Sequence, residues 1–202
     1  MSTAPRGTTS KDRTPILWMD AEPARLPRDH GDIAAFASQL NYFGPESPSG
    51  LVFPHGGWSG ELPRWPFDRA EPPALTDLIG GRGVTVVMAY PAAYPMVPPI
   101  IYPLDPEPTL LEQTQTAWHV APGGSLCLLQ TVGAWQPDAS VTELLAKAAG
   151  WRIEYALMKA GAITAMSING IVSDSSYDHL IDRTVRAQQD TSSQSQDPDV
   201  PQ

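Results

Sequence analysis

Gly124-Ser125-Leu126-Cys127-Leu128-Leu129 holds the only cysteine of the chain, and its reading decides what kind of fold is sought around it. A thiol set among leucines reads as a small residue of a buried extended segment, because free cysteine is among the most buried residue types. A thiol just beyond a Gly-Gly turn, with His119 shortly upstream, reads as a nucleophile with a base in reach. Working outward, Trp135-Gln136-Pro137 follows the cysteine and Tyr94-Pro95-Met96-Val97-Pro98-Pro99 precedes it.

The wider chain has 202 residues, enough for one domain with tails. Its apolar share of 42% and its 22 prolines suggest a compact core with long loops. A formal charge of −9 argues against a nucleic-acid surface, which needs clustered Lys and Arg. A single cysteine forms no internal disulfide, so a reducing, cytoplasmic setting is expected. Residues 1–14 are polar, read as disordered for want of any hydrophobic period, and carry no apolar signal core. The run over 84–89 is too short to cross a bilayer, so no membrane role is expected.

Periodicity predicts the elements. Residues 32–43 read as a helix, with Asp29 or Asp32 as cap and Ile33, Phe36, Ala37, Leu40 and Phe43 on one face. A short strand is expected over 51–53, then loops around Gly56-Gly57-Trp58. The clearest strand is 84–90, followed by one at 100–102 that its flanking prolines confine to a sheet edge. Residues 109–116 read as a helical turn or loop, and 126–129 as a short extended piece. The longest helix is expected over 141–159, capped by Ser140 with Glu143 behind it. A last helix is expected over 178–188. The domain layout is then a disordered or loosely docked arm (1–28), a folded domain (29–188) and a disordered tail (189–202). The fold class is α+β, with an antiparallel sheet and segregated helices.

With these elements in place the chain resembles the ubiquitin-conjugating enzymes, in particular their divergent bacterial branch. Four features carry the resemblance. Tyr-Pro-x-x-Pro-Pro stands at 94–99 between two strands, Gly-x-x-Cys-Leu at 124–128, and Trp-x-Pro at 135–137, and a long helix follows. The bacterial pattern His-x-x-x-x-Gly-x-Leu-Cys-Leu corresponds to 119–128. The resemblance covers roughly residues 32–161.

The resemblance implies a fold and a chemistry. The fold is a meander sheet with an N-terminal helix and C-terminal helices. Cys127 accepts the C-terminus of a ubiquitin-like modifier from an activating enzyme, as a thioester, and passes it to an amine of a target protein. His119 stands where such enzymes place the asparagine of a His-Pro-Asn triplet, which is absent here. Its imidazole N–H is a candidate oxyanion donor or loop organiser. Tyr94, Trp118, Gly124, Trp135 and Pro137 are expected to shape the loops around the cysteine. Bacterial relatives occur beside activating enzymes and deconjugating proteases, some in anti-phage defence.

Departures from the pattern carry information too. Leu128, Leu129 and Gln130 follow the cysteine where an acidic residue often prepares the incoming lysine, leaving Asp138 as a candidate. The window 32–43 contains no Lys or Arg, so the activating enzyme is expected to dock differently.

Other readings are weaker. His55, His119, His179 and Cys127 match no zinc spacing, so no metal is expected. Gly80-Gly81-Arg82-Gly83 lacks the ending of a phosphate loop, so no nucleotide cofactor is expected either. Two rival functions remain: a non-catalytic binding module on the same fold, and a cysteine hydrolase built on Cys127 and His119.

Overall fold

A computed structural model describes residues 17–194 except 130, 132, 169 and 174. The predicted disorder of residues 1–14 and of 195–202 lies outside the described residues.

Four strands form one antiparallel sheet in sequential order: β1 (Asn41–Phe43), β2 (Gly57–Glu61), β3 (Thr85–Ala89) and β4 (Ile100–Asp105). The register pairs Tyr42 with Trp58, Trp58 with Met88, and Met88 with Ile101. Trp58, Val86, Met88 and Ile101 are buried. Helices surround the sheet: α1 (Trp18–Ala21), α2 (Arg25–Phe36), α3 (Leu75–Ile79), α4 (Thr142–Lys159) and α5 (Asp178–Gln194). The α+β class is as the sequence predicts.

α4 is the central beam. Val141, Leu144, Leu145, Ala148, Trp151 and Tyr155 pack into the main core with the sheet and with Ile33, Ala37 and Leu40. Ile153, Ala156 and Leu157 face a second cluster, with Leu75 and Ile79 of α3 and Ile171 and Ile181. The spacing of Val141, Leu144, Leu145, Ala148, Trp151, Tyr155 and Met158 predicts one broad apolar face for this helix. It is instead buried nearly all round, as expected of a helix that serves two cores.

Several elements differ from expectation. The first main helix runs over Arg25–Phe36, not 32–43. Its last turn closes with the Ala37 N–H on the Ile33 carbonyl, after which the chain turns so that Tyr42 and Phe43 enter the sheet. Ile33, Ala37 and Leu40 are all buried as expected, but only the first lies within the helix. Asp29 is no cap. It lies inside the helix, fully buried, accepting from the Tyr90 and Tyr94 hydroxyls. The helix also contains Arg25 and Arg28, so the absence of basic residues belonged to a misplaced window. The expected boundary between 28 and 29 falls within this helix, while Trp18 of the arm docks on the core with Met19 packed against it.

The predicted strand at 51–53 is replaced by a 3-10 turn at Pro48–Leu51, and the Gly-Trp stretch read as loop forms β2. The last helix extends through Gln194, so the tail cannot begin at 189. Ser140 bonds the Thr142 N–H and donates to Asp32, while Val141 occupies the cap position. Among the described residues the cis peptide bonds are Tyr94-Pro95 and Asp105-Pro106.

Candidate active site

A small antiparallel turn places Cys127. Val120 bridges Leu126, the Ala121 N–H reaches the Ser125 carbonyl at 2.7 Å, and the Gly124 N–H reaches the Ala121 carbonyl at 2.9 Å. Gly123 and Gly124 take φ of 101° and 88°, a backbone region costly for any residue with a Cβ. The Leu126 N–H then bonds the Ile101 carbonyl at 2.8 Å, fixing the turn to β4. Leu126 is buried and Cys127, one residue on, is exposed. The alternation of an extended segment thus turns the thiol outward while its neighbour anchors the backbone.

His119 is held next to it. The Cys127 N–H donates to the His119 carbonyl at 2.8 Å. His119 ends a 3-10 turn (Thr116–Trp118) with φ of 50°, a left-handed conformation in which histidine is enriched among non-glycine residues. The Trp151 indole N–H, from α4, donates to the Trp118 carbonyl at 2.9 Å and so fixes the backbone entering His119.

Cys127 and His119 line one groove of about 270 Å³. Leu128, Thr131 and Ala134 continue their wall, Lys147, Trp151 and Glu154 of α4 also line it, and residues 166–168 close another side. Partial burial here pushes the Cys127 thiol up and the His119 imidazole down from their ordinary values. Both shifts have the same cause, desolvation, which disfavours the charged form of each group. The thiolate is the nucleophile, so this burial lowers the share of the reactive form near neutral pH. The buried Glu154 carboxylate accepts from the Ser167 N–H at 2.7 Å and its hydroxyl at 2.6 Å, which ties the 166–168 segment to α4.

The other residues singled out from sequence surround the groove without lining it. The Trp135 indole donates to the Pro95 carbonyl at 2.7 Å, joining the loop after the cysteine to the Tyr94-Pro95 turn. Tyr94 is buried and donates to Asp29 at 2.6 Å. The Pro137 carbonyl accepts from Arg25 at 3.0 Å. Trp118 stacks near Tyr155, with ring centres 5.4 Å apart. Gly124 makes the turn. Asp138 is exposed and is not part of the groove lining. Among the described residues, no three His, Cys, Asp or Glu side chains gather as a metal site, and no helix is long and apolar enough to cross a membrane.

Sequence reading missed Lys147, Trp151 and Glu154 as groove residues. Their spacing of four and then three places them on one stripe of α4, with a polar group at each end. Trp151 reads as a core residue and is one, but it also borders the groove between the two charged residues. No family model, no curated protein and no solved structure matches the chain.

Proposed function

We propose that this protein is a conjugating enzyme for a ubiquitin-like modifier, with Cys127 as the acyl carrier. One observation carries the reading: the exposed Cys127 opens into a groove beside His119, on a turn anchored to the sheet. The motifs at 94–99, 124–128 and 135–137 support it, as does the order of antiparallel sheet, cysteine segment and long helix. That order fits a ubiquitin-conjugating-type fold.

In the first step the Cys127 sulfur attacks the thioester carbonyl of the modifier held by its activating enzyme. A new C–S bond forms, and the activating enzyme's thiolate leaves with the electron pair. In the second step a neutral target amine attacks that carbonyl and a C–N bond forms; the C–S bond breaks with its electron pair returning to the Cys127 sulfur, and the nitrogen sheds a proton to solvent. Each step passes through an oxyanion, and the imidazole of His119, which lines the same groove as Cys127, is the candidate group to stabilise it. Cys127 needs little activation, because both acyl donor and product are thioesters.

The test is incubation with an activating enzyme and its ubiquitin-like modifier, sought first among the neighbouring genes. A thiol-sensitive adduct that disappears in Cys127→Ala supports the reading, and one that persists in that variant removes Cys127 from the mechanism. The raised thiol favours a second reading, a non-catalytic module of the same fold. Failure to load from any activating enzyme, with Cys127 alkylated far more slowly than a free thiol, would select it.

A further inference from the structure

We propose that Lys147 is an internal acyl acceptor: an acyl group carried by Cys127 passes to the Lys147 Nζ, and the resulting amide closes the groove to further loading. The inference deepens the thioester reading of Cys127 and rests on it.

The chain has lysines only at 11, 147 and 159; its arginines do not give up their proton to become acyl acceptors, and an acyl group on a histidine ring is lost to water or hydroxylamine rather than kept as a stable amide. Lys159 is engaged elsewhere, its Nζ 2.9 Å from Glu112 and over the Trp118 ring. Lys11 lies outside the described residues. Lys147 alone of the described lysines lines the groove that Cys127 opens into. Its Nζ donates at 3.3 Å to the carbonyl of Leu128, the residue bonded directly to Cys127.

Amine and sulfur are therefore held by neighbouring residues around one small space. An acyl group on Cys127 occupies that same space, which makes the attack intramolecular and raises the effective concentration of the amine. The Lys147 nitrogen attacks the thioester carbonyl carbon and a C–N bond forms. The C–S bond breaks, the electron pair returns to the Cys127 sulfur, and the nitrogen sheds its proton to solvent. No other reactant enters.

The product is an amide that thiols do not reverse. It leaves Cys127 free but its groove filled, so the chain carries a mark of its own past loading. A protein with a slow or absent target accumulates this form, and the reaction is self-limiting.

The experiment uses the full chain and an N-acetylglycyl thioester of a small mercaptan, which loads an accessible thiol without any activating enzyme. Hydroxylamine then strips thioesters, and intact mass with peptide mapping locates what survives. A single resistant N-acetylglycyl group at Lys147 is expected. Its yield should fall by about tenfold or more in Cys127→Ala, Lys147→Arg and Lys147→Gln, and persist in Lys159→Arg. Far-UV circular dichroism identifies which of the two Lys147 variants is folded and therefore counts.

Three results would overturn the proposal: a loaded Cys127 with no resistant amide, an amide at Lys147 that survives Cys127→Ala, or amides spread equally over other amines. Failure of Cys127 to load overturns it as well, by removing the donor. Because this donor bypasses the activating enzyme, a negative conjugation assay and a negative result here remain separate findings.

Discussion

The Arg25 guanidinium donates to the Pro137 carbonyl at 3.0 Å, joining α2 to the loop beyond Cys127 across 112 positions of sequence. The same group donates to the Tyr94 hydroxyl at 2.7 Å and to the Ala139 carbonyl, and lies 3.2 Å from Asp29. One buried cation thus organises the loop that supplies Thr131 and Ala134 to the groove wall. Arg25→Met strands the Asp29 carboxylate in the core, and breaking a buried pair in this way costs about 3–5 kcal/mol. Urea unfolding should show a loss of that order. A loss below about 1 kcal/mol would mean that the network is solvated and contributes little.

Partial burial raises the Cys127 pKa. Alkylation by iodoacetamide should therefore climb with pH to a midpoint above the value of about 8.5 for a free thiol. The check is a pH–rate profile on the native chain against the urea-unfolded chain. A native midpoint below the unfolded one would mean that a cation stabilises the thiolate and the burial argument is wrong.

Glu112 answers to acid in the opposite sense to a merely buried carboxyl. Burial raises its pKa, but Lys159, the Thr109 N–H and hydroxyl, and the Tyr155 hydroxyl outweigh it, and the net value is lowered. The folded state then binds its proton less readily than the unfolded state. The stabilisation is present above the unfolded value of about 4.3 and lost as pH falls through the lowered one. Glu112→Gln should flatten this acid limb in denaturant midpoints measured across pH, and an unchanged slope would assign it to other carboxylates.

Gly57 has no room for a side chain. A Cβ there meets the Met88 carbonyl oxygen at 2.2 Å and the Phe43 ring at 2.7 Å. Gly57→Ala should force β2 away from β3 and destabilise the protein by about 1–3 kcal/mol, read as a fall in thermal midpoint. A midpoint equal to the parent's would show that the strands separate there at no cost.

That glycine also explains why β2 was illegible. Gly56-Gly57 reads as a turn because glycine usually breaks strands, whereas here it admits the neighbouring backbone. α2 was displaced for a similar reason. Pro27 looks like a barrier to a helix, yet it falls in the first turn, where its missing N–H would have no helical partner. β3 and α4 were legible because a β-branched run and a sustained 3.6-residue period each have one reading. Of the groove, Cys127 and His119 were legible from the Gly-Gly turn and their separation. The 166–168 segment was not, since it reaches the groove from beyond α4 and has no period of its own.

α4 belongs to both apolar clusters, contributing Leu145 and Trp151 to one and Ile153 and Leu157 to the other. Neither half can melt and leave its companion with a complete wall, so heat should take the molecule apart in one sharp event. The amides along this shared helix should be the last to trade their hydrogens for deuterium.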